Sequence, residues 1–233
     1  MTAFRSLFGI DRTSIKETAV LLPAPYKAFL SEINDLRANK GKLYKTMTYS
    51  DITFICTGIG PAMSGDAVLY LKDTPCKRVI LFGTCGLASL NSGLRLGDIV
   101  LPLKCFELES FSRMLELRLP EAFLIPDKTI TAQISADFCI HPVTVITAGS
   151  LKLESDYSDI LPAGDPVVFD MEFSAVLSAA KSSCLPCAAI FVISDMIGDQ
   201  PFYSDLNDTD KESMAGSFKK AAELICRMPS ILT

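Results

Sequence analysis

The chain has 233 residues, 49% hydrophobic and 21% charged, an ordinary to somewhat apolar globular composition with room for one α/β domain spanning 1–233. Its formal net charge of -5 gives no electrostatic reason to expect nucleic acid, and no apolar stretch reaches membrane-spanning length, so the expected partner is a small molecule. Eight cysteines, among them Cys56, Cys85, Cys187 and Cys226 in apolar runs, read as small buried hydrophobes in a reducing, cytoplasmic setting rather than as a disulfide framework.

Residues 1–16 read as an arm or helix ahead of the main body, and residues 1–11 are too short and too interrupted for a secretory signal. An apolar strand-like run follows at 18–22, then 26–36 with Phe29, Leu30, Ile33 and Leu36 at helical spacing. The stretch 42–57, broken at Ser50-Asp51, reads as an antiparallel hairpin whose second strand is 52–57. A helix at 62–71 opens after Pro61, a favoured first helical residue. Strands are expected at 78–82, 98–101, 143–148 and 187–194, and helices at 172–181 and 211–226. Strands alternating with helices imply crossover connections and parallel neighbours, so with the hairpin the expectation is an α/β fold with a mixed central sheet flanked by helices.

Several motifs reduce to structure. Gly58-Ile59-Gly60 follows a strand and precedes a helix, but Met63 stands where a dinucleotide fingerprint needs its third glycine, and no Walker loop occurs. No resident cofactor is therefore expected. Cys184-Leu185-Pro186-Cys187 has redox-like spacing, yet it opens a buried strand without a second pair and reads as structural. His141 is the single histidine, followed by Pro142 and an apolar strand, which argues against a histidine-rich metal site and a Ser-His-Asp triad. Asp199, Asp205, Asp208 and Asp210 read as a solvated loop with a helix cap, so no metal is expected there.

Three sites converge. The run 187–194 delivers Asp195 to the carboxyl end of a buried strand, where ligands of open α/β sheets collect; Asp195 is either a general acid or a cap of the next turn. The run 79–86 ends in Gly83-Thr84-Cys85-Gly86, where glycine lets backbone approach a ligand and exposed N–H groups can hold an anion or sugar oxygens, unless this is a simple tight turn. In Phe169-Asp170-Met171-Glu172, Asp170 can cap a helix, and Glu172 in its first turn either favours the helix dipole or accepts two hydrogen bonds from a cis-diol.

Thr57-Gly58-Ile59-Gly60-Pro61, Gly83-Thr84-Cys85-Gly86 with Gly97-Asp98-Ile99-Val100, Asp170-Met171-Glu172, and Ser194-Asp195 together resemble, in order and spacing from about residue 18 onward, the signatures of the nucleoside phosphorylase and nucleosidase superfamily. That superfamily includes purine nucleoside phosphorylase, uridine phosphorylase and methylthioadenosine nucleosidase. The resemblance implies a three-layer α/β fold, a nucleoside as small-molecule partner, and a homodimer or hexamer. Carried over by position, Glu172 would bind the ribose hydroxyls with Thr84 beside it, Met171 would pack on the sugar, and Asp195 would protonate N7 of a departing purine. Cys85, Gly86 and Ser194 would border the base, and Lys27, Gly83 and Thr84 would face the nucleophile.

The chain departs from the family at that last place. Phosphorylases hold phosphate with a Gly-Asp-Pro-x-Arg loop and a second Arg before the Gly-Thr turn, where this chain has Pro23-Ala24-Pro25-Tyr26-Lys27 and Leu81. Lysine is a point charge without the fork of arginine, so phosphate as co-substrate is disfavoured. Hydrolases of the family use a glutamate after the first strand, and none occurs in residues 21–31. The expectation is cleavage of the N-glycosidic bond of a purine nucleoside or relative, by water in slight preference to phosphate. The alternative is a nucleoside-binding or regulatory protein of the same fold with little or no turnover.

Overall fold

The computed structural model describes residues 2–138, 140–201 and 204–232; Met1, where the expected arm begins, lies outside them. The first strand, β1 (Thr18–Leu22), is buried at every position, which explains why it reads as a continuous apolar run rather than an alternating one. Next come one turn of helix, α2 (Lys27–Leu30), then β2 (Arg37–Lys40), β3 (Lys45–Tyr49) and β4 (Ile52–Cys56). Before β1, α1 (Ala3–Phe8) docks its Phe4 and Phe8, with the Phe8 ring 4.5 Å from Tyr44. The expected hairpin is present as β3 and β4. The helix expected at 26–36 is not: Asp35 takes a φ of 59°, and the chain turns into β2. Phe29 and Ile33 are buried all the same, so the periodic apolar residues are satisfied by a turn.

The central strands are β5 (Arg78–Leu87) and β9 (Cys187–Met196), joined in parallel from Val79↔Cys187 onward. Between them lie β6 (Ile99–Leu108), β7 (His141–Ala148) and β8 (Val167–Asp170). The sheet has nine strands in the order β2-β3-β4-β1-β5-β8-β7-β6-β9, and the β5–β9 pairing closes its second half into a ring. Parallel and antiparallel pairs coexist, so the sheet is mixed.

Successive residues of the strands face opposite layers, as the two-residue period requires. From β9, Ala189, Phe191 and Ile193 enter one core with α3 (Pro61–Leu71) and α6 (Phe173–Ser182). Ala188, Ile190 and Val192 enter the other, with α2, α5 (Lys128–Asp137) and α7 (Asp208–Ile231). This is the expected three-layer α/β arrangement. A short helix, α4 (Phe111–Met114), extends a smaller core under β7 and β8. Among the described residues, no helix is long and apolar enough to cross a membrane.

Candidate active site

The carboxyl ends of β1, β5, β8 and β9 and the loops after β4 and β7 surround a cavity of about 220 Å³. The pairing of β5 with β9 slips there: Cys85 faces Ile193, but Gly86 faces Asp195, leaving Ser194 as the extra residue of a bulge. A bulge kinks its strand and re-aims the next side chain, and here that side chain is Asp195. Gly86 leaves the room it needs, because a β-carbon on Gly86 would stand 2.7 Å from Asp195 Oδ2. The Ser194 hydroxyl donates to Asp195 Oδ1 at 2.7 Å. Burial raises the Asp195 pKa, and the Ser194 hydrogen bond opposes that rise.

Glu172 is placed by a different device. Asp170 Oδ2 accepts from the N–H groups of Glu172 at 2.9 Å and Phe173 at 2.6 Å, capping α6, while its Oδ1 accepts from Thr147 Oγ1 at 2.6 Å. Asp170 thus holds the start of the helix from two residues ahead, and Glu172 is its N-cap residue rather than a first-turn residue as expected from sequence. Gly60, at a φ of 112° that favours glycine, directs its N–H to Glu172 Oε1 at 2.6 Å. Burial and the charge of Asp170 push Glu172 up to about 8, against the pull of that N–H. Burial pushes Asp170 to about 6, against its three donors.

Of the residues singled out from sequence, Thr84, Cys85, Gly86, Met171, Glu172, Ser194 and Asp195 come together in the cavity lining. Gly83 lies just outside it, and Lys27 is exposed on α2, outside the lining. The ring of the preceding residue, Tyr26, takes the inward place. No lysine or arginine among the described residues lines this cavity.

Sequence reasoning missed Glu154. It begins a short 3-10 turn (Glu154–Ile160) after β7 and is only 6% exposed, yet it lines this cavity and an adjoining one of about 430 Å³. Burial, with the charges of Asp195 and Asp170 adding to it, pushes Glu154 up to about 8. Nothing in Glu154-Ser155-Asp156 distinguishes it from a solvated acidic turn, so no local signal could have found it. Leu151, Glu154 and Asp195 are shared by the two cavities, and Ile197 and Pro201 add apolar wall to the larger. No group of three or more metal-ligating side chains occurs among the described residues.

The sequence profile of the phosphorylase superfamily matches residues 18–228. The chain belongs to that superfamily. No curated protein matches it significantly in sequence. Solved structures show the same fold at low identity. Uridine phosphorylase from Vibrio fischeri superposes with a TM-score of 0.72 at 17% identity, over 94% of each chain. AMP nucleosidase from Bacteroides thetaiotaomicron does so at 0.70 and 18%, over 97% of this chain and 95% of its own. The 5′-methylthioadenosine/S-adenosyl homocysteine nucleosidase of Campylobacter jejuni does so at 0.69 and 16%, over 91% and 98%. This superfamily member thus shares a fold with both phosphorylases and nucleosidases, and its own residues must discriminate between the two chemistries.

Proposed function

We propose that this chain cleaves the N-glycosidic bond of a purine nucleoside or a close relative, with water as the acceptor. The observation that carries the reading is that, of the four carboxyl groups lining one cavity (Glu154, Asp170, Glu172 and Asp195), Glu172 and Asp195 stand in different settings. Glu172 is held by a backbone donor at a helix mouth, and Asp195 is buried with its pKa raised. Breaking the bond builds positive charge on the sugar and negative charge on the base. An acid beside the base and a carboxylate beside the sugar therefore favour the transition state over the ground state. Asp195 protonates the leaving base, because burial keeps its proton available nearer neutrality. Glu172 accepts from the sugar diol, Thr84 borders it, and Met171 packs against the ring. The adjoining cavity, with Leu151, Ile197 and Pro201, suits a flat purine.

Water is favoured because Leu81 is an apolar residue fully buried in the core and the cavity lining offers no cation to a phosphate dianion among the described residues. A reading without turnover draws on one observation: the segment after β1 supplies Pro23, Ala24 and Tyr26, and no carboxylate, to activate water. A nucleoside panel incubated with and without phosphate, with base and sugar products separated by chromatography, decides among these. Free ribose in phosphate-free buffer supports hydrolysis. Ribose 1-phosphate formed only with phosphate supports phosphorolysis, and nucleoside affinity without products supports the binding protein.

A further inference from the structure

Tyr26 has a place in the site that its neighbours do not explain as packing alone. It caps the single turn of α2, and its side chain faces Thr84 and Glu172 at the sugar end of the cavity. Its ring is held from two sides, edge-on to Phe82 with centroids 5.7 Å apart and stacked on Phe218 at 5.7 Å and 28°. The hydroxyl reaches β5 at Gly83 and Thr84, which continue the strand instead of forming the turn expected from sequence: a β-carbon on Gly83 would stand 3.5 Å from Tyr26 Oη. Burial and the charge of Glu172 push the phenol up to about 12, with Thr84 pulling the other way, so it remains a neutral donor and acceptor at neutral pH.

By the resemblance drawn from sequence, Gly83 and Thr84 face the nucleophile, and the side chain that lines that corner of the cavity beside them is a phenol rather than a cation. Leu81 is fully buried in the core on the other face of the sheet, and Lys27 is exposed on the surface. We infer that Tyr26 sets the identity of the nucleophile: its ring fills the space beside Gly83 and Thr84 of β5 that an oxyanion would need, and its hydroxyl holds the attacking water against the sugar. The inference rests on the reading that the site cleaves N-glycosidic bonds. In the reaction, the water oxygen bonds to C1′ as the C1′–N electron pair leaves with the base. The base takes the Asp195 proton, and the proton shed by the bound water returns through solvent to Asp195, so nucleoside and water become free sugar and free base. Tyr26 keeps its proton throughout and acts by accepting a hydrogen bond from the water.

The test uses the whole protein and the nucleoside it cleaves fastest. Tyr26→Phe keeps the ring and its stacking and removes only the hydroxyl, so kcat should fall about tenfold or more with KM within a few-fold. Product analysis should still show no sugar phosphate when phosphate is added, because the ring still fills the corner. Tyr26→Ala opens that corner, and added methanol should then divert more product to the methyl riboside than it does in the wild type. Thermal melts of both variants report folding, and Tyr26→Phe alone suffices for a decision if Tyr26→Ala is unstable. Undiminished kcat in Tyr26→Phe overturns the assignment, as does ribose 1-phosphate from the wild type. A wild type that cleaves no nucleoside overturns the glycosidic reading itself, and this assignment with it.

Discussion

Asp195 has one hydroxyl donor, Ser194, whereas Glu172 has a backbone donor and the head of a helix, so the first is suited to give up a proton and the second to accept hydrogen bonds. Asp195→Asn removes the transferable proton and preserves size. Cleavage should fall by about 10²–10⁴, with nucleoside affinity by calorimetry changed only a few-fold. Most of the turnover surviving would remove Asp195 from the chemistry. Burial and the charge of Asp170 push Glu172 up to about 8, and a diol donating two hydrogen bonds favours the ionised form, so ribonucleoside binding near pH 7 should release a proton. Calorimetry in buffers of different ionisation enthalpy measures that release, and Glu172→Gln should abolish it. The same variant should weaken ribonucleosides by roughly 1.5–3 kcal/mol more than 2′-deoxynucleosides. Equal losses would leave Glu172 a purely structural acid. Both residues were legible in the sequence because strand end and helix start are marked by local pattern. Glu154 was not, because burial of an acid after a strand is imposed by distant chain.

The bulge between β5 and β9 depends on one absent methyl group. Gly86→Ala places a carbon 2.7 Å from Asp195 Oδ2 and 3.2 Å from Ile197, so the carboxyl group must move. The expected outcome is a large drop in kcat with a much smaller change in melting temperature, and a variant with wild-type kinetics would show that the aim of Asp195 is not critical. Why some elements could be read from sequence and others could not follows from their surroundings. β1, β5 and β9 are covered on both faces and therefore appear as long apolar runs. β2 is an edge strand, Arg37–Lys40, largely exposed, with no apolar signature to read. β8 has only four residues, and its strand state comes from pairing with β7 and β5. The expected strand at 98–101 runs on to Leu108, because Pro102 sits at a register shift in its pairing with β7 and does not end it.

For the whole molecule, the site's acids set how stability responds to pH. Glu154 and Glu172 are pushed up to about 8, Asp170 to about 6, and Asp195 is raised. The folded chain therefore holds protons that the unfolded chain releases above its ordinary carboxyl range of about 4. Their contribution to stability is fully present below that range and is lost as pH rises through the raised values, so the melting temperature should fall between about pH 5 and 9. Glu154→Gln should flatten this decline; an unchanged profile would mean that Glu154 is solvated. Local pattern predicted the layers, but the closure of β5, β8, β7, β6 and β9 into a ring was not legible, because it depends on pairings of distant segments. That ring has a consequence for opening. Along one edge β5 pairs with β9 from Val79 to Leu87; along the other it pairs with β1 over 78–81 and with β8 at Gly86 and Leu87, so residues 82–85 are strand-paired on one edge alone. Hydrogen exchange at Val79, Ile80 and Leu81, paired on both edges, should then wait for cooperative opening, while the edge hairpin of β2 and β3 can fray alone. Thr84 and Cys85 in the cavity lining thus present, on the edge away from β9, backbone that no strand pairs among the described residues, directly beside the most firmly held stretch of β5.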